Sequence, residues 1–206
     1  MMKEKNFTPY EIVRRFEQII ADYAGAKYAV AVSSCTSAIF LCCHYLKVGV
    51  IFLPKFTYPG VACSILHAGG SIVFKRDTYW QGIYQLEPYR IYDSALRFKK
   101  DMYIKNSLYC LSFHYKKHIP IGRGGMILCD DKKIYEWLKQ ARFDGRHEQY
   151  LSKDKITMLG WNEYMTPEQA ARGLVFFDMI KDKELPDLEM QEQGYPNLSK
   201  FKIFRK

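Results

Sequence analysis

The segment of residues 112–128 reads SFHYKKHIPIGRGGMIL and indicates how this chain is built. The apolar run Leu108–Phe113 predicts a strand that passes into a polar loop, with Lys117 five residues after Ser112. A glycine cluster at residues 122–125 leads into a second apolar run, which predicts a hairpin return. A lysine that loses its proton easily can form a Schiff base with a carbonyl, although most lysines in basic loops are only solvated.

Size and composition limit the class of protein. The chain has 206 residues, of which 48% are hydrophobic, and this is enough for one large domain with or without a small appendage. No apolar run is long enough to span a bilayer, and residues 1–6 lack the apolar core of a signal peptide. We therefore expect a cytoplasmic protein with no membrane partner.

The cysteines and the net charge indicate a reduced, basic protein. Six cysteines lie mostly in apolar runs without a C-x-x-C pair, which favours buried thiols over zinc ligands or disulfides. The formal net charge is +9, and residues 199–206 alternate lysines with aromatic rings. Such charge is typical of a soluble surface, of nucleic-acid binding or of an anionic small substrate. Charge and tail alone support the nucleic-acid alternative, so no specific nucleic acid is expected.

Strand and helix patterns alternate along the first half of the chain. Capping boxes are predicted at Thr8–Glu11 and Thr166–Gln169, and Gly25 is predicted to end the first helix. The predicted strands are residues 28–32, 50–53, 72–74, 89–92, 108–113 and 126–129. The predicted helices are residues 8–24, 36–46, 59–67, 132–143 and 166–181. This order predicts an α/β domain with a mainly parallel sheet.

Polar residues collect where the predicted strands end. They are Ser33–Ser37, Thr57, Tyr58, Asp93, Ser112, His114 and Lys117. Ligands of such sheets bind at the carboxyl ends of the strands. One edge of the sheet is therefore predicted to combine a helix start suited to phosphate, an aromatic ring, a carboxylate and a lysine.

Four segments, in this order, resemble the DegT/StrS-type sugar aminotransferases, a branch of the fold-type I pyridoxal-phosphate enzymes. They are residues 16–39 (FEQIIADYAGAKYAVAVSSCTSAI), 53–74 (LPKFTYPGVACSILHAGGSIVF), 112–131 (SFHYKKHIPIGRGGMILCDD) and 160–174 (GWNEYMTPEQAARGL). The resemblance implies a PLP-transferase-like large domain over residues 1–182, followed by an irregular basic tail at residues 183–206. It also implies pyridoxal 5'-phosphate as the cofactor.

The resemblance assigns two residues to catalysis. Lys117 aligns with the lysine that binds the cofactor covalently, and Ser112 five residues earlier distinguishes it from Lys116. Asp93 aligns with the aspartate that pairs with the pyridinium nitrogen, which a carboxylate keeps protonated. The family's dehydratases carry histidine at the lysine position, so Lys117 argues against that activity.

The remaining assignments concern cofactor binding. Tyr58 aligns with the aromatic residue that stacks on the cofactor ring, and Cys35 and Thr36 align with the phosphate loop. Thr36 and Ser112 are expected to add hydroxyl donors. Asn162 aligns with an asparagine that reaches the phosphate from the second subunit, which implies a homodimer with a shared active site.

The chain also departs from the family pattern. Cys35 replaces a small residue that is usually glycine, and Leu96 replaces a Gln or His near the cofactor hydroxyl. Arg123 replaces an acid near the substrate mouth. The interval between Phe74 and Asp93 is too short for the family's extra strand and flanking helices, and the small C-terminal domain is largely absent.

The function that the resemblance implies is amino-group transfer from an amino acid, such as glutamate, to a nucleotide-linked keto sugar. The alternative is a catalytically degenerate relative that binds cofactor or a partner without turnover. Leu96 and the missing domain favour the alternative, whereas Lys117, Asp93, Ser112 and Asn162 oppose it.

Overall fold

The computed structural model describes residues 8–76, 79–190 and 194–204. Its helices are α1 (Tyr10–Ala24), α2 (Cys35–Tyr45), α3 (Pro59–His67), α4 (Lys132–Ala141) and α5 (Pro167–Ile180). Its strands are β1 (Tyr28–Val32), β2 (Val50–Leu53), β3 (Ser71–Phe74), β4 (Tyr84–Gln85), β5 (Ile91–Asp93), β6 (Leu108–Ser112) and β7 (Gly125–Cys129). Single 3₁₀ turns follow at Leu151–Lys153, Leu198–Lys200 and Lys202–Phe204. The α/β class predicted from the sequence is confirmed.

The strands form two sheets, and their pairs include both parallel and antiparallel ones. Five strands lie in the order β1-β7-β6-β5-β4, and β2 pairs with β3 separately. The pairs β2–β3 and β5–β6 are parallel, whereas β1–β7, β6–β7 and β4–β5 are antiparallel. The prediction of a mainly parallel sheet is therefore wrong for the strand pairings. The cause is β7, which returns beside β6 without a helical crossover and lies between it and β1.

Both faces of the five-stranded sheet are covered by helices. On β1, the side chains of Val30 and Val32 join the core layer that contains α2 and α3. Their neighbours Ala29 and Ala31 join the opposite layer, which contains α1 and α5. Because successive strand residues point to opposite faces, burial of both sets requires an apolar layer on each side. The sheet edge that carries the polar residues is thereby held between two helical layers.

Helix termini test the capping predictions directly. The capping box of α5 is present, with the Thr166 hydroxyl and the Gln169 side chain each accepting the other residue's backbone N–H. The box predicted at Thr8 is absent, because α1 starts after Pro9 and the Thr8 hydroxyl instead accepts from Arg14. Gly25 ends α1 in the left-handed conformation, with φ of 78°, as predicted.

The short interval before β5 and the C-terminal segment pack onto the same side of the domain. β4 lies beside β5, and the Phe52 backbone N–H donates to the Glu87 carbonyl, which links the two sheets. The Leu198 N–H donates to the Lys55 carbonyl, and the Leu198 side chain is fully buried. The described part of residues 183–206 is thus anchored to the domain despite its irregular backbone.

All six cysteines are free thiols, in line with the sequence-based prediction. In the described part of the chain no helix combines the length and the apolar character that crossing a membrane requires.

Candidate active site

A cavity of about 570 Å³ opens at the carboxyl ends of β1, β5 and β6. Six of the seven residues assigned from the resemblance line it, namely Cys35, Thr36, Tyr58, Asp93, Ser112 and Lys117. They come from helix α2, the N-cap of α3, the ends of strands β5 and β6, and the loop after β6. These side chains therefore lie together at one edge of the sheet, as the strand-end pattern predicts.

The start of α2 forms one wall of the cavity. Ser34 is the N-cap, and its hydroxyl accepts the Ser37 backbone N–H at 3.0 Å. A Cβ on Gly125 would lie 2.4 Å from the Ser34 carbonyl carbon and 2.5 Å from the Cys35 nitrogen. The glycine at the start of β7 therefore lets the loop before α2 pack directly on the strand. This contact positions the start of α2, and N–H groups at a helix start favour an anion.

Glu163 is not among the predicted site residues, yet it lies beside this helix start. Its carboxylate accepts from the Ser33 hydroxyl and from the Ser37 hydroxyl, the latter at 2.5 Å. Its own backbone carbonyl accepts the Ser33 N–H at 2.8 Å. The contact joins residues about 130 positions apart, so no local sequence pattern reports it. An acid therefore stands close to the wall that is best suited to a phosphate.

Asp93 ends β5 at the bottom of the cavity and is only 4% exposed. Its Oδ2 accepts from the Tyr84 hydroxyl at 2.7 Å, and its Oδ1 accepts from the Ala95 N–H at 3.0 Å. Burial raises the pKa of the Asp93 carboxyl, and these two hydrogen bonds together with the nearby Lys117 charge oppose that rise. The site thus contains a buried carboxylate that hydrogen bonds favour in its charged form.

Lys117 lies in the loop between β6 and β7 and is partly buried. The loop turns tightly, since the Lys117 N–H donates to the His114 carbonyl at 2.8 Å. Burial lowers the pKa of the Lys117 ammonium, whereas the charge of Asp93 acts in the opposite direction. Neighbouring Lys116 also lines the cavity but is exposed to solvent. The surroundings of Lys117 therefore favour loss of its proton.

The ring of Tyr58 and the hydroxyl of Thr36 both lie close to Gly60. An added Cβ on Gly60 would lie 2.7 Å from a ring carbon of Tyr58 and 2.8 Å from the Thr36 hydroxyl. The absence of a side chain at residue 60 therefore lets the tyrosine ring fold toward the start of α2. The Tyr58 side chain is 55% exposed, so much of its ring is accessible from the cavity.

Cys35 is accommodated without backbone strain. It is the first residue of α2 and is absent from the residues with positive φ in the described chain. Its Sγ lies 3.9 Å from Asp93 Oδ1, and burial together with the Asp93 charge raises the thiol pKa well above its usual value. Cysteine at this position therefore behaves as a small neutral residue rather than as a thiolate.

Asn162 is the assigned residue that does not line this cavity. It is exposed, and its Nδ2 donates to the Asp144 carboxylate at 3.1 Å. Tyr195, by contrast, lines the cavity although it was not predicted, because the C-terminal segment folds back over the domain. Lys116 and Arg123 lie at the cavity as well and add positive charge, and His114 also lines it, with its pKa lowered by burial and by the nearby lysines.

Comparisons with known proteins agree with the fold and with the motif order. The model of the DegT/DnrJ/EryC1/StrS aminotransferase family matches residues 1–79 and 104–184, which is more than half of the chain. The matched ranges leave out the interval that contains β4, β5 and Asp93. The spore coat polysaccharide biosynthesis protein SpsC of Bacillus subtilis is 42% identical over 65 residues, which are 30% of this chain and 17% of SpsC.

Two solved structures show the same fold at lower identity. Helicobacter pylori PseC, an aminotransferase involved in the biosynthesis of pseudoaminic acid, matches with a TM-score of 0.64 and 17% identity over 84% of this chain and 58% of its own. DesI, solved in the presence of its TDP-sugar product, matches with a TM-score of 0.66 and 18% identity over 84% of this chain and 53% of its own. The chain therefore spans less than two thirds of the length of these relatives. On the strength of the matched residues, the chain belongs to the DegT/DnrJ/EryC1/StrS aminotransferase family.

Proposed function

We propose that this protein is a pyridoxal-phosphate-dependent aminotransferase that moves an amino group from an amino acid, glutamate in the first instance, to a nucleotide-linked keto sugar. The observation that carries the proposal is the convergence in one cavity of Lys117, Asp93 and the start of α2. Sequence positions that are far apart supply a base, a buried carboxylate and an anion-binding helix start.

The side chains that line the cavity fit the chemistry of the cofactor. Asp93 is a buried carboxylate that can pair with a ring nitrogen, and the exposed ring of Tyr58 offers a stacking surface. Thr36, Ser112 and the N–H groups at the start of α2 are the donors for a phosphate. When bound, the cofactor supplies an aldehyde for the amine and a ring that accepts electrons. Glu163 is the feature that fits least, because its carboxylate faces the same hydroxyls.

Lys117 and Asp93 divide the chemical work. The lowered pKa of Lys117 increases its neutral fraction, which allows the amine to bind a carbonyl and to accept or return a proton at Nζ. Asp93 supports a protonated ring nitrogen through its negative charge, and its buried position strengthens that interaction. Substitution of Lys117 by alanine should abolish turnover, and Asp93→Asn should remove most of it.

The basic mouth of the cavity supports an anionic sugar substrate. Arg123 and Lys116 are exposed beside the cavity, and their charge would attract a diphosphate group. Interactions between exposed charges are screened by salt, so the Michaelis constant should rise with ionic strength. Arg123→Glu should weaken substrate binding while cofactor binding stays intact. A Michaelis constant that does not change with ionic strength would contradict a role of the basic surface in binding the substrate.

We also propose a homodimer with a shared active site. Asn162 is exposed and does not line the cavity of its own chain, which is compatible with a role toward a second subunit. The segment before it exposes large apolar side chains at Tyr150, Leu151, Ile156 and Leu159, which a second copy would cover. Sedimentation should give twice the chain mass, and a monomer with tight cofactor binding would contradict this part of the proposal.

The activity is tested by incubating the protein with pyridoxal phosphate, L-glutamate and a panel of nucleotide-linked keto sugars. Formation of 2-oxoglutarate that depends on the sugar and on Lys117 would support the proposal. Cofactor binding without turnover on any sugar or donor would instead favour the catalytically degenerate alternative, which Leu96 and the Glu163 carboxylate make chemically reasonable.

A further inference from the structure

We propose that Tyr84 is a positioning residue that holds Asp93 charged and oriented in the cavity, and that Thr57 fixes Tyr84 in turn. The inference deepens the proposed function, on which its relevance to the cofactor rests. Tyr84 lies on β4, in the interval that the family match leaves out, so the family alignment assigns it no role.

The three side chains form a continuous hydrogen-bonded chain. The Tyr84 hydroxyl lies 2.7 Å from Asp93 Oδ2 and 2.6 Å from Thr57 Oγ1. A carboxylate can only accept, so the Tyr84 proton is directed to Asp93 and the Thr57 hydroxyl donates to Tyr84. Each of the two hydroxyl groups then donates its proton toward Asp93. The order Thr57 to Tyr84 to Asp93 follows from the chemistry of the carboxylate.

The hydrogen-bonded chain is rigid because its members are buried and lie in three separate segments, namely β4, β5 and the loop after β2. Tyr84 is 8% exposed and stands opposite Asp93 in the β4–β5 register, while its ring packs against Trp80. Thr57 is 1% exposed and lies in the loop between β2 and α3. The hydrogen bonds therefore tie the carboxylate to β4 and to this loop. A carboxylate fixed in this way loses little conformational freedom when it pairs with a ligand.

Several groups face Asp93, and Tyr84 is the neutral donor that most favours its charge. The Ala95 N–H, the Cys35 thiol and the Lys117 charge act in the same direction, whereas burial opposes them. The Cys110 thiol and the Tyr195 hydroxyl also lie close enough to interact with the Asp93 charge. Removal of the Tyr84 hydroxyl should therefore move the Asp93 titration to higher pH, because the charged form loses a donor.

The test compares Tyr84→Phe, Thr57→Val and the matched control Tyr92→Phe. Tyr92 lies beside Asp93 on β5, but its hydroxyl donates to Gln85 at 3.2 Å, so the same atom is deleted without touching the carboxylate. The first measurement is the titration of the Asp93 carboxyl group in the cofactor-free protein. Carbon-detected NMR monitors it, and the Asp93→Asn variant assigns the signal. The second is the equilibrium dissociation constant of pyridoxal phosphate.

In Tyr84→Phe we expect the Asp93 titration to move to higher pH and cofactor affinity to fall about tenfold, as for loss of a hydrogen bond to a charged group. Thr57→Val should change both in the same direction, with an affinity loss of about threefold. The Thr57→Val variant keeps the inference testable if Tyr84→Phe does not fold. Tyr92→Phe should match the wild type in both measurements.

An unchanged Asp93 titration in both Tyr84→Phe and Thr57→Val would overturn the inference, and so would an equal change in Tyr92→Phe. A shifted titration with unchanged cofactor affinity would overturn the role of Tyr84 toward the cofactor. Failure of the wild type to bind pyridoxal phosphate would overturn the proposed function, whereas the NMR titration would still decide whether Tyr84 controls Asp93.

Discussion

The two glycines at the start of β7 provide a matched test of how the fold builds the cavity. Gly125→Ala would place a Cβ 2.4 Å from the Ser34 carbonyl carbon, and Gly124→Ala would place one 2.8 Å from the end of the Ile121 side chain. The first clash involves backbone that caps α2, whereas the second involves flexible side-chain ends of Ile121 and Met165. The same atom is added at adjacent positions with different neighbours.

The magnitude follows from the clash distances. Ordinary contact begins at 3.4 Å, so the loop before α2 would have to move by about 1 Å from Gly125→Ala. Overpacking of this kind costs about 1–3 kcal/mol, which corresponds to roughly 2–12 °C in melting temperature for a domain of this size. Because the same loop carries the N–H groups proposed to hold the phosphate, we expect cofactor affinity to fall about tenfold.

Thermal unfolding and equilibrium binding of pyridoxal phosphate check this prediction. Gly124→Ala should bind the cofactor within about twofold of the wild type, because Ile121 and Met165 can move their side-chain ends. Equal losses in both variants would show that the Gly125 contact has no special role. Wild-type binding by Gly125→Ala would refute the link between this glycine and the start of α2.

Three further predictions concern charge. Glu163→Gln should strengthen pyridoxal phosphate binding about fivefold in equilibrium dialysis, since it removes a negative charge from the anion-binding wall, and weaker binding would contradict this. Arg142→Met should lower the free energy of unfolding by about 3–5 kcal/mol in urea, because the fully buried guanidinium pairs with Glu17 and Glu148; a loss below about 1 kcal/mol would show that the network contributes little. Acetylation of Lys117 in the cofactor-free protein should reach its half-maximal rate at a lower pH than that of an ordinary exposed lysine, because burial lowers its pKa, and peptide mass spectrometry would detect the opposite order.

Local patterns predicted much of the fold. Local patterns located the helices α1 to α5 and the strands β1, β2, β3, β5, β6 and β7 to within two residues at each end. Periodicity carries this information because it reflects which face of an element is buried. It does not report strand order, and the insertion of β7 between β1 and β6 made the sheet mixed rather than mainly parallel.

The features that the sequence did not reveal depend on contacts between distant residues. β4 is two residues long and has no repeating pattern, yet it supplies the Tyr84 hydroxyl to Asp93. Tyr195 reaches the cavity because Leu198 anchors the C-terminal segment, and Glu163 reaches α2 from the other end of the chain. Each contact is set by packing, so local motifs point to Lys117 and Asp93 but not to Tyr84, Tyr195 or Glu163.

Borohydride reduction followed by peptide mass spectrometry tests the central proposal most directly. The protein is incubated with pyridoxal phosphate, reduced and digested, with Lys117→Ala as the control. We expect one stable cofactor adduct, on Lys117, because it is the partly buried lysine beside Asp93 in the cavity. An adduct on exposed Lys116, equal labelling of the Lys117→Ala variant, or no adduct at saturating cofactor would contradict the proposed aminotransferase site.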